Sequence, residues 1–203
     1  MIIACTRFTT KTYNENIKWK MAKKWRGCVY GFNEQLPKKI PYNSDVYIID
    51  MNNDTNKIMG IGLINYDYKP SNRSRIYQNH NYNRYVYKSK YYINRYYLLK
   101  RHKEIVEFLE KRLFYGHSHF KRQVGLTVIP IERLIVTYPK VKYLCKKCGL
   151  PKKNHVCLGE KKVNTDSICK LCGKFKRGHI CTQHKKNSSM KLKLELFFSK
   201  LFV

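Results

Sequence analysis

The chain has 203 residues and a formal net charge of +29, because it has 42 Lys and Arg residues but only 13 Asp and Glu residues. It contains no run of about 20 apolar residues, which argues against a membrane-spanning helix, and its N-terminal sequence lacks the apolar core of a secretion signal. We therefore expect an intracellular protein in a reducing compartment, where clustered cysteines indicate metal ligands rather than disulfides.

The excess of positive charge predicts a polyanionic partner, and nucleic acid is the commonest one. Two alternatives stay open: a basic surface that only keeps the protein soluble, for which a modest charge is enough, and an anionic membrane surface. The abundance of Asn, Lys, Ile and Tyr resembles proteins encoded by AT-rich genomes, such as those of giant DNA viruses. Proteins of protists and linear plasmids have the same bias, so we expect a viral protein or another protein of an AT-rich genome, located inside the cell in the cytoplasm, nucleus, viral factory or virion.

The first element predicted along the chain is a short basic helix at residues 14–25. The residues on its apolar face are Ile17, Met21 and Trp25. The next segment, RGCVYGFNEQLPKKIPYNS, is rich in Gly, Pro and Asn, and it predicts a loop with one short strand. We interpret Cys5 and Cys28 as ordinary core residues.

A β-hairpin is the clearest strand prediction. Apolar runs at residues 46–49 and 57–64 are separated by the turn-rich sequence MNNDTN. Gly60 and Gly62 lie within the second run, where glycine indicates a bulge or the close approach of another backbone segment.

Residues 69–97 alternate Tyr with Arg, Lys and Asn. We expect a loop in the first half of this stretch and a strand in the second. The composition of residues 73–97 is typical of a groove that holds phosphates with basic side chains and stacks bases on aromatic rings. The candidate contacts are Arg84, Tyr85, Tyr87 and Tyr91. The alternative is an ordinary β-sheet surface, where Tyr is favoured in any case.

Residues 103–115 predict the best helix of the chain. Its apolar face is formed by Ile105, Val106, Leu109 and Leu113. One or two strands are predicted after it, with Pro130 and Pro139 at their ends or edges.

Between that helix and those strands lie two further groups of polar residues. Lys121 and Arg122 are candidate phosphate contacts. We interpret His117 and His119 as surface residues, because no nearby carboxylate completes a metal or nuclease site.

Two copies of one Cys/His pattern, C-x2-C-G-x5-H-x-C, follow. Their residues are Cys145, Cys148, His155 and Cys157 in the first copy, and Cys169, Cys172, His179 and Cys181 in the second. Two cysteines separated by two residues place both sulfurs on one ion, and four protein ligands complete a tetrahedron around zinc. The pattern therefore predicts two Zn²⁺ ions in structural sites, since no position is left for substrate or water.

The two copies resemble zinc knuckles, the tandem CCHC modules of retroviral nucleocapsids and RNA-binding proteins, with the non-standard spacing C-x2-C-x6-H-x-C. The resemblance implies binding of single-stranded RNA or DNA. Basic side chains between the ligands are suited to phosphate contacts, and one aromatic residue is a candidate for base stacking. These residues are Lys146, Lys147, Lys152, Lys153, Lys170, Lys174, Phe175, Lys176 and Arg177. A contact in the small core beneath zinc is the alternative for Phe175.

Together these elements predict an α+β fold: a small curved β-sheet or barrel with flanking helices, followed by two small zinc modules. The order of strands and helices resembles the PUA-like group of RNA- and modified-base-binding barrels. We expect a basic α+β domain at residues 1–140, the tandem modules at 141–184, and a basic amphipathic tail at 185–203. The tail predicts a helix capped by Ser188 or Ser189.

The sequence favours a non-enzymatic, zinc-dependent nucleic-acid-binding protein acting in RNA handling, transcription or genome packaging. No P-loop, nucleophile elbow or cluster of carboxylates indicates catalysis. The first alternative is an interaction or structural protein, for example in a virion, whose zinc modules dock another protein. The second is a modified-base reader or nuclease, which requires a pocket in the N-terminal domain.

Overall fold

The structure, a computed structural model, describes residues 1–66, 74–116, 118–135 and 181–202, together with the single positions 156 and 169; for residues 182–185 it describes the backbone only. The fold is α+β, as predicted. The strands are β1 Ile2–Phe8, β2 Cys28–Phe32, β3 Asp45–Asn52, β4 Lys57–Asn65, β5 Tyr85–Ser89, β6 Tyr91–Asn94 and β7 Thr127–Val128. The helices are α1 Thr10–Ala22, α2 Arg95–Phe114, α3 Ile131–Ile135 and α4 Thr182–Lys200, with a 3₁₀ helix at His80–Asn83.

Five strands form a mixed sheet in the order β6-β4-β3-β1-β7, and β2 pairs with β5 in a separate antiparallel ribbon. Only β1 and β3 run parallel, while the other neighbours in the five-stranded sheet are antiparallel. α1 supplies the crossover between strands that such a parallel pair requires. Within the described residues, no helix is long and apolar enough to cross a membrane.

The predicted hairpin is confirmed as β3 and β4. Its turn begins at Asn52, whose Oδ1 accepts hydrogen bonds from the backbone N–H groups of Asp54 and Thr55. Asn56 completes the turn with a φ of 55°, a conformation that Asn tolerates well. Asp50 pairs with Gly60 but the next residue, Met51, pairs with Ile58, so Met59 is the extra residue of a bulge within the glycine-containing run, as predicted.

Both glycines of β4 permit close packing, as predicted. A Cβ atom on Gly60 would lie 2.3 Å from the hydroxyl of Tyr92, and one on Gly62 would lie 2.3 Å from the hydroxyl of Tyr30. The two tyrosines therefore approach this part of the sheet only because the residues facing them have no side chain.

α1 presents a different face from the predicted one. It begins at Thr10, where Thr9 and Thr12 form a reciprocal capping box, and the side chains it buries are Asn16 and Lys20. Met21 is 74 % exposed, contrary to the prediction, whereas Ile17 and Trp25 are half-buried and Trp25 packs against the core. The helix is oriented instead by Asn16, whose Nδ2 donates to the carbonyl of Val29 and to the hydroxyl of Tyr77.

α2 begins earlier than predicted, at Arg95, so residues 95–97 are helical rather than part of a strand. Asn94 explains this start, because its side chain accepts a hydrogen bond from the backbone N–H of Tyr97. His102 interrupts the helix with φ −140° and ψ 37°. The predicted apolar face is buried at Val106, Leu109 and Leu113, while Ile105 is half-buried.

The described residues between α2 and α3 contain one short strand. β7 has two residues, and Pro130 precedes the short helix α3 rather than a further strand. Residues 136–140, which include the predicted boundary at Pro139, lie outside the described part of the chain.

The contacts divide the chain into two compact units: Met1–Leu134 with Leu194–Val203, and Ile135–Lys193. The C-terminal residues belong to the first unit because α4 buries Leu194, Phe197 and Phe198 in it. α4 begins at Thr182, so Ser188 and Ser189 lie inside the helix and do not cap it, contrary to the prediction.

Candidate nucleic-acid interface

A basic depression of about 410 Å³ lies beside the 3₁₀ helix. Its lining residues are Ser74, Arg75, His80, Asn83, Arg84 and Tyr85. None of these described lining residues is acidic, and neither arginine forms an ion pair with a described residue. The described lining of the depression is therefore basic, which suits a phosphate group.

The side chain of Asn83 connects the two chain segments that line this depression. It is buried, its Oδ1 accepts hydrogen bonds from the backbone N–H groups of Ile76 (2.8 Å) and Tyr77 (3.0 Å), and its Nδ2 donates to the carbonyl of Tyr77 (2.7 Å). These bonds fasten the chain after Arg75 to the start of β5, and so bring Arg75 and Arg84 to one place.

The aromatic residues predicted beside Arg84 take different positions. Tyr85 is half-buried in the wall of the depression. Tyr87 is only 6 % exposed, and its ring packs against Phe32 and Tyr66 at centroid distances of 6.1 and 6.4 Å. No face of Tyr87 is open to a base, so its place in the fold is in the core and not at the interface. Tyr91 is exposed.

Lys121 and Arg122 lie apart from the depression. Lys121 Nζ donates a hydrogen bond of 2.7 Å to Oδ1 of Asn56 in the β3–β4 turn, and its charge helps to lower the pKa of Asp54, after the hydrogen bonds from Thr10. Arg122 is exposed next to it. The structure thus separates two groups of basic residues that the sequence analysis treated alike.

Only two of the predicted zinc ligands, Cys169 and Cys181, belong to the described residues. Both are half-buried, and Cys181 forms no disulfide with a described residue. The other six ligands, Cys145, Cys148, His155, Cys157, Cys172 and His179, lie outside the described residues, as do the neighbouring Lys146, Lys147, Lys152, Lys153, Lys170, Lys174, Phe175, Lys176 and Arg177. No group of three His, Cys, Asp or Glu residues that could hold a metal occurs within the described ranges. In chemical type and number, each set of donors fits Zn²⁺.

A second cavity, of about 270 Å³, lies where β1 ends and α1 begins. Its lining is Thr6, Arg7, Phe8, Thr9, Thr12, Gly31, Phe32, Asn33, Tyr77, Tyr82, Gln123, Val124 and Gly125. It was not predictable from the sequence, because four segments distant in sequence form its walls and no local motif marks any of them.

No protein-family model, curated protein or solved structure matches the chain. The resemblances to zinc knuckles and to PUA-like barrels therefore stay predictions, and the function is inferred from the residues and their geometry.

A buried polar cluster surrounds Asp50 on β3. Burial raises the pKa of Asp50 from 3.8 to about 7, and the nearby Tyr30, Lys20 and Tyr92 only partly offset this rise. Lys20 Nζ lies 3.7 Å from the centroid of the Tyr92 ring. Asp50 Oδ1 and the Tyr30 hydroxyl nevertheless have no well-aligned hydrogen bond with a described residue. Because none of these side chains lines either cavity, we assign the cluster to the core.

Asp50→Asn is expected to stabilise the protein more at pH 8 than at pH 5. The Asp50 carboxyl binds its proton more tightly in the folded protein than in the unfolded chain. The stability that this binding adds to the folded state is therefore fully present below pH 3.8 and is lost as the pH rises to about 7. The free energy of unfolding of the variant minus that of wild type should therefore rise by roughly 1.4 kcal/mol per pH unit across this window. Urea unfolding at several pH values measures it, and a difference independent of pH would contradict the prediction.

Proposed function

We propose that the protein binds single-stranded nucleic acid and catalyses no reaction, and that two Zn²⁺ ions fold its Cys/His region. The observation that carries the proposal is the convergence of Arg75, His80 and Arg84 in one depression that has no acidic residue in its described lining. The net charge of +29 supports it, because a chain so basic attracts polyanions.

The depression has the chemistry of a backbone contact. A guanidinium group donates two parallel hydrogen bonds to phosphate oxygens, and each phosphate neutralised releases condensed counterions. The phenol ring of Tyr85 in the same wall adds an apolar surface beside the phosphate site. Such contacts give affinity and register without reading sequence.

The Cys/His region would add a second contact. In each copy of the pattern, lysines separate the cysteines and follow them, so a folded zinc module would carry its own basic surface. Two nucleic-acid contacts joined in one protein chain together bind a long nucleic-acid strand more tightly than either contact does alone.

Replacing both arginines of the depression, Arg75→Ala with Arg84→Ala, should weaken binding and reduce the salt dependence. Each lost phosphate contact lowers the slope of log K against log salt by about 0.7 for a single strand. The measurement is a titration of wild type and variant with matched single-stranded RNA, single-stranded DNA and duplex DNA over a range of salt.

The matched control is Lys100→Ala with Lys111→Ala, because it removes the same charge from exposed positions on α2, outside the depression. Its slope should stay close to that of wild type. Equal losses in the two double variants would show that only total charge matters. Zinc-dependent capture of a specific protein, with only weak binding of every polyanion, would instead favour the docking alternative.

A further inference from the structure

The cavity at the start of α1 has aromatic walls. Phe8, Phe32 and Tyr77 are buried side chains that line it, and Tyr82 stands at its mouth with 40 % of its surface exposed. The rings of Tyr77 and Tyr82 meet edge to face, at 6.1 Å and 82°. A flat apolar group inserted here would contact ring faces and edges on several sides.

Arg7 and the pair Thr9 and Thr12 already form hydrogen bonds within the protein. Arg7 donates to the carbonyl oxygens of Phe120 and Gly125 and to Thr127 Oγ1. At the start of α1, the backbone N–H of Thr9 donates to Oγ1 of Thr12, and the backbone N–H of Thr12 donates to Oγ1 of Thr9. These groups are therefore committed to the fold, and the aromatic walls are the part of the cavity that suits a planar ligand.

Two amide side chains remain available. Asn33 and Gln123 line the cavity, and neither has a hydrogen-bond partner among the described residues. An amide offers both a donor and an acceptor, which is the combination that the edge of a nucleobase presents.

The walls are held in place before any ligand arrives. Asn16 fixes the hydroxyl of Tyr77 at 3.0 Å, and Arg7 ties the segment bearing Gln123 to β1. Gly31 lets the chain at Tyr82 approach closely, since a Cβ atom there would lie 2.3 Å from the carbonyl oxygen of Tyr82. A preformed pocket loses less entropy when it binds.

The cavity and the basic depression are lined by neighbouring residues of one segment, in the 3₁₀ helix and directly after it. Tyr82 lines the cavity, and Arg84 lines the depression two residues later. Successive Cα atoms are about 3.8 Å apart, so the Cα atoms of these two residues are at most about 7.6 Å apart. A strand whose phosphate lies at Arg84 therefore brings a neighbouring base within reach of Tyr82.

We propose that this cavity takes one unpaired nucleobase of the bound strand, stacked on Tyr82 and held at its edge by Asn33 and Gln123. This inference rests on the proposed function and adds the ligand of a second site. At about 270 Å³ the cavity is slightly smaller than the usual range for drug-sized ligands, which suits a single ring system. The base must be unpaired, because a base within a duplex presents neither its face nor its pairing edge.

Tyr82→Ala tests the proposal. It should weaken binding of a single-stranded oligonucleotide by about 5- to 100-fold, the loss expected when one stacking side chain is removed, and leave the salt slope unchanged. Asn33→Ala with Gln123→Ala should weaken binding in the same direction. An oligonucleotide of the same length without bases should bind wild type and Tyr82→Ala alike, since it has nothing to stack.

Tyr115→Ala is the matched control, because Tyr115 is 58 % exposed and does not line the cavity. If Tyr82→Ala behaves like this control while salt-dependent binding persists, the cavity holds no base and the proposed function stands. If wild type binds no oligonucleotide, both proposals fail. A free nucleoside that binds as tightly as the strand would assign the cavity to a soluble ligand and overturn the inference.

Discussion

The purified protein is expected to contain two zinc ions per chain, and each Cys/His copy should lose its ion independently. Cys148→Ser should leave one zinc ion, Cys172→Ser should leave one, and the double variant should leave none. The reason is that each copy contains four ligands of its own, and binding at a structural site of this kind is worth about 10–16 kcal/mol, which is most of the folding energy of so small a module. Elemental analysis of the reduced, purified protein counts the ions.

Cys5→Ala is the control for this experiment. Cys5 is buried in β1 outside the pattern, and burial raises the pKa of its thiol to about 11, so it is a poor metal ligand at neutral pH. This variant should retain both zinc ions. Loss of both ions in a single ligand variant would mean that the two copies share their ligands. Recovery of the module cysteines as disulfides from a cell extract prepared without oxidation would contradict zinc binding altogether.

Loss of zinc should remove one of the two proposed contacts with nucleic acid, the one in the Cys/His region, and leave the other. The first unit has its own core, built on the five-stranded sheet, and contains the basic depression and the cavity. We therefore expect the double cysteine variant to bind single strands more weakly than wild type while keeping its dependence on Arg84 and Tyr82.

The hairpin was predictable from the sequence because its information is local. Two apolar runs, an Asn-rich turn and two glycines all lie within a stretch of some twenty residues, and each of these features has the predicted role in the structure. The buried positions of Cys5 and Cys28 were also predictable, since an isolated cysteine behaves as a small apolar residue.

The inward face of α1 was not predictable from hydrophobicity. Its buried positions are polar, and they face inward because partners distant in the sequence satisfy them: Val29 and Tyr77 for Asn16, and the Tyr92 ring for Lys20. The helical start of α2 had a local signal in Asn94, but the run of tyrosines after it favours a strand by propensity.

The candidate site was predictable only in part. Arg84 and Tyr85 came from composition, and they do lie in the basic depression. Arg75 lies in the same predicted stretch but was not singled out, because composition does not show that the hydrogen bonds of Asn83 hold the chain after Arg75 beside Arg84. The cavity depends on tertiary contacts throughout, so no spacing of residues along the chain indicates it.

Phe198→Ala is expected to lower the free energy of unfolding of the first unit by about 3–5 kcal/mol. Phe198 is fully buried, and its ring packs edge to face with Tyr47 of β3 and with Phe197, at centroid distances of 5.4 and 4.9 Å. Truncation would leave a cavity between α4 and the sheet, in a protein whose total stability is normally only about 5–15 kcal/mol. Urea denaturation followed by tyrosine and tryptophan fluorescence measures the loss.

Leu196→Ala provides the matched control, because this leucine lies on the same helix but is 47 % exposed. Its effect should stay near or below about 1 kcal/mol, since little apolar surface is lost. If Phe198→Ala were as mild as Leu196→Ala, α4 would contribute nothing to the first unit in solution. A large loss confined to Phe198→Ala would instead mean that the chain, after passing through the Cys/His region, returns to complete the core beneath the sheet.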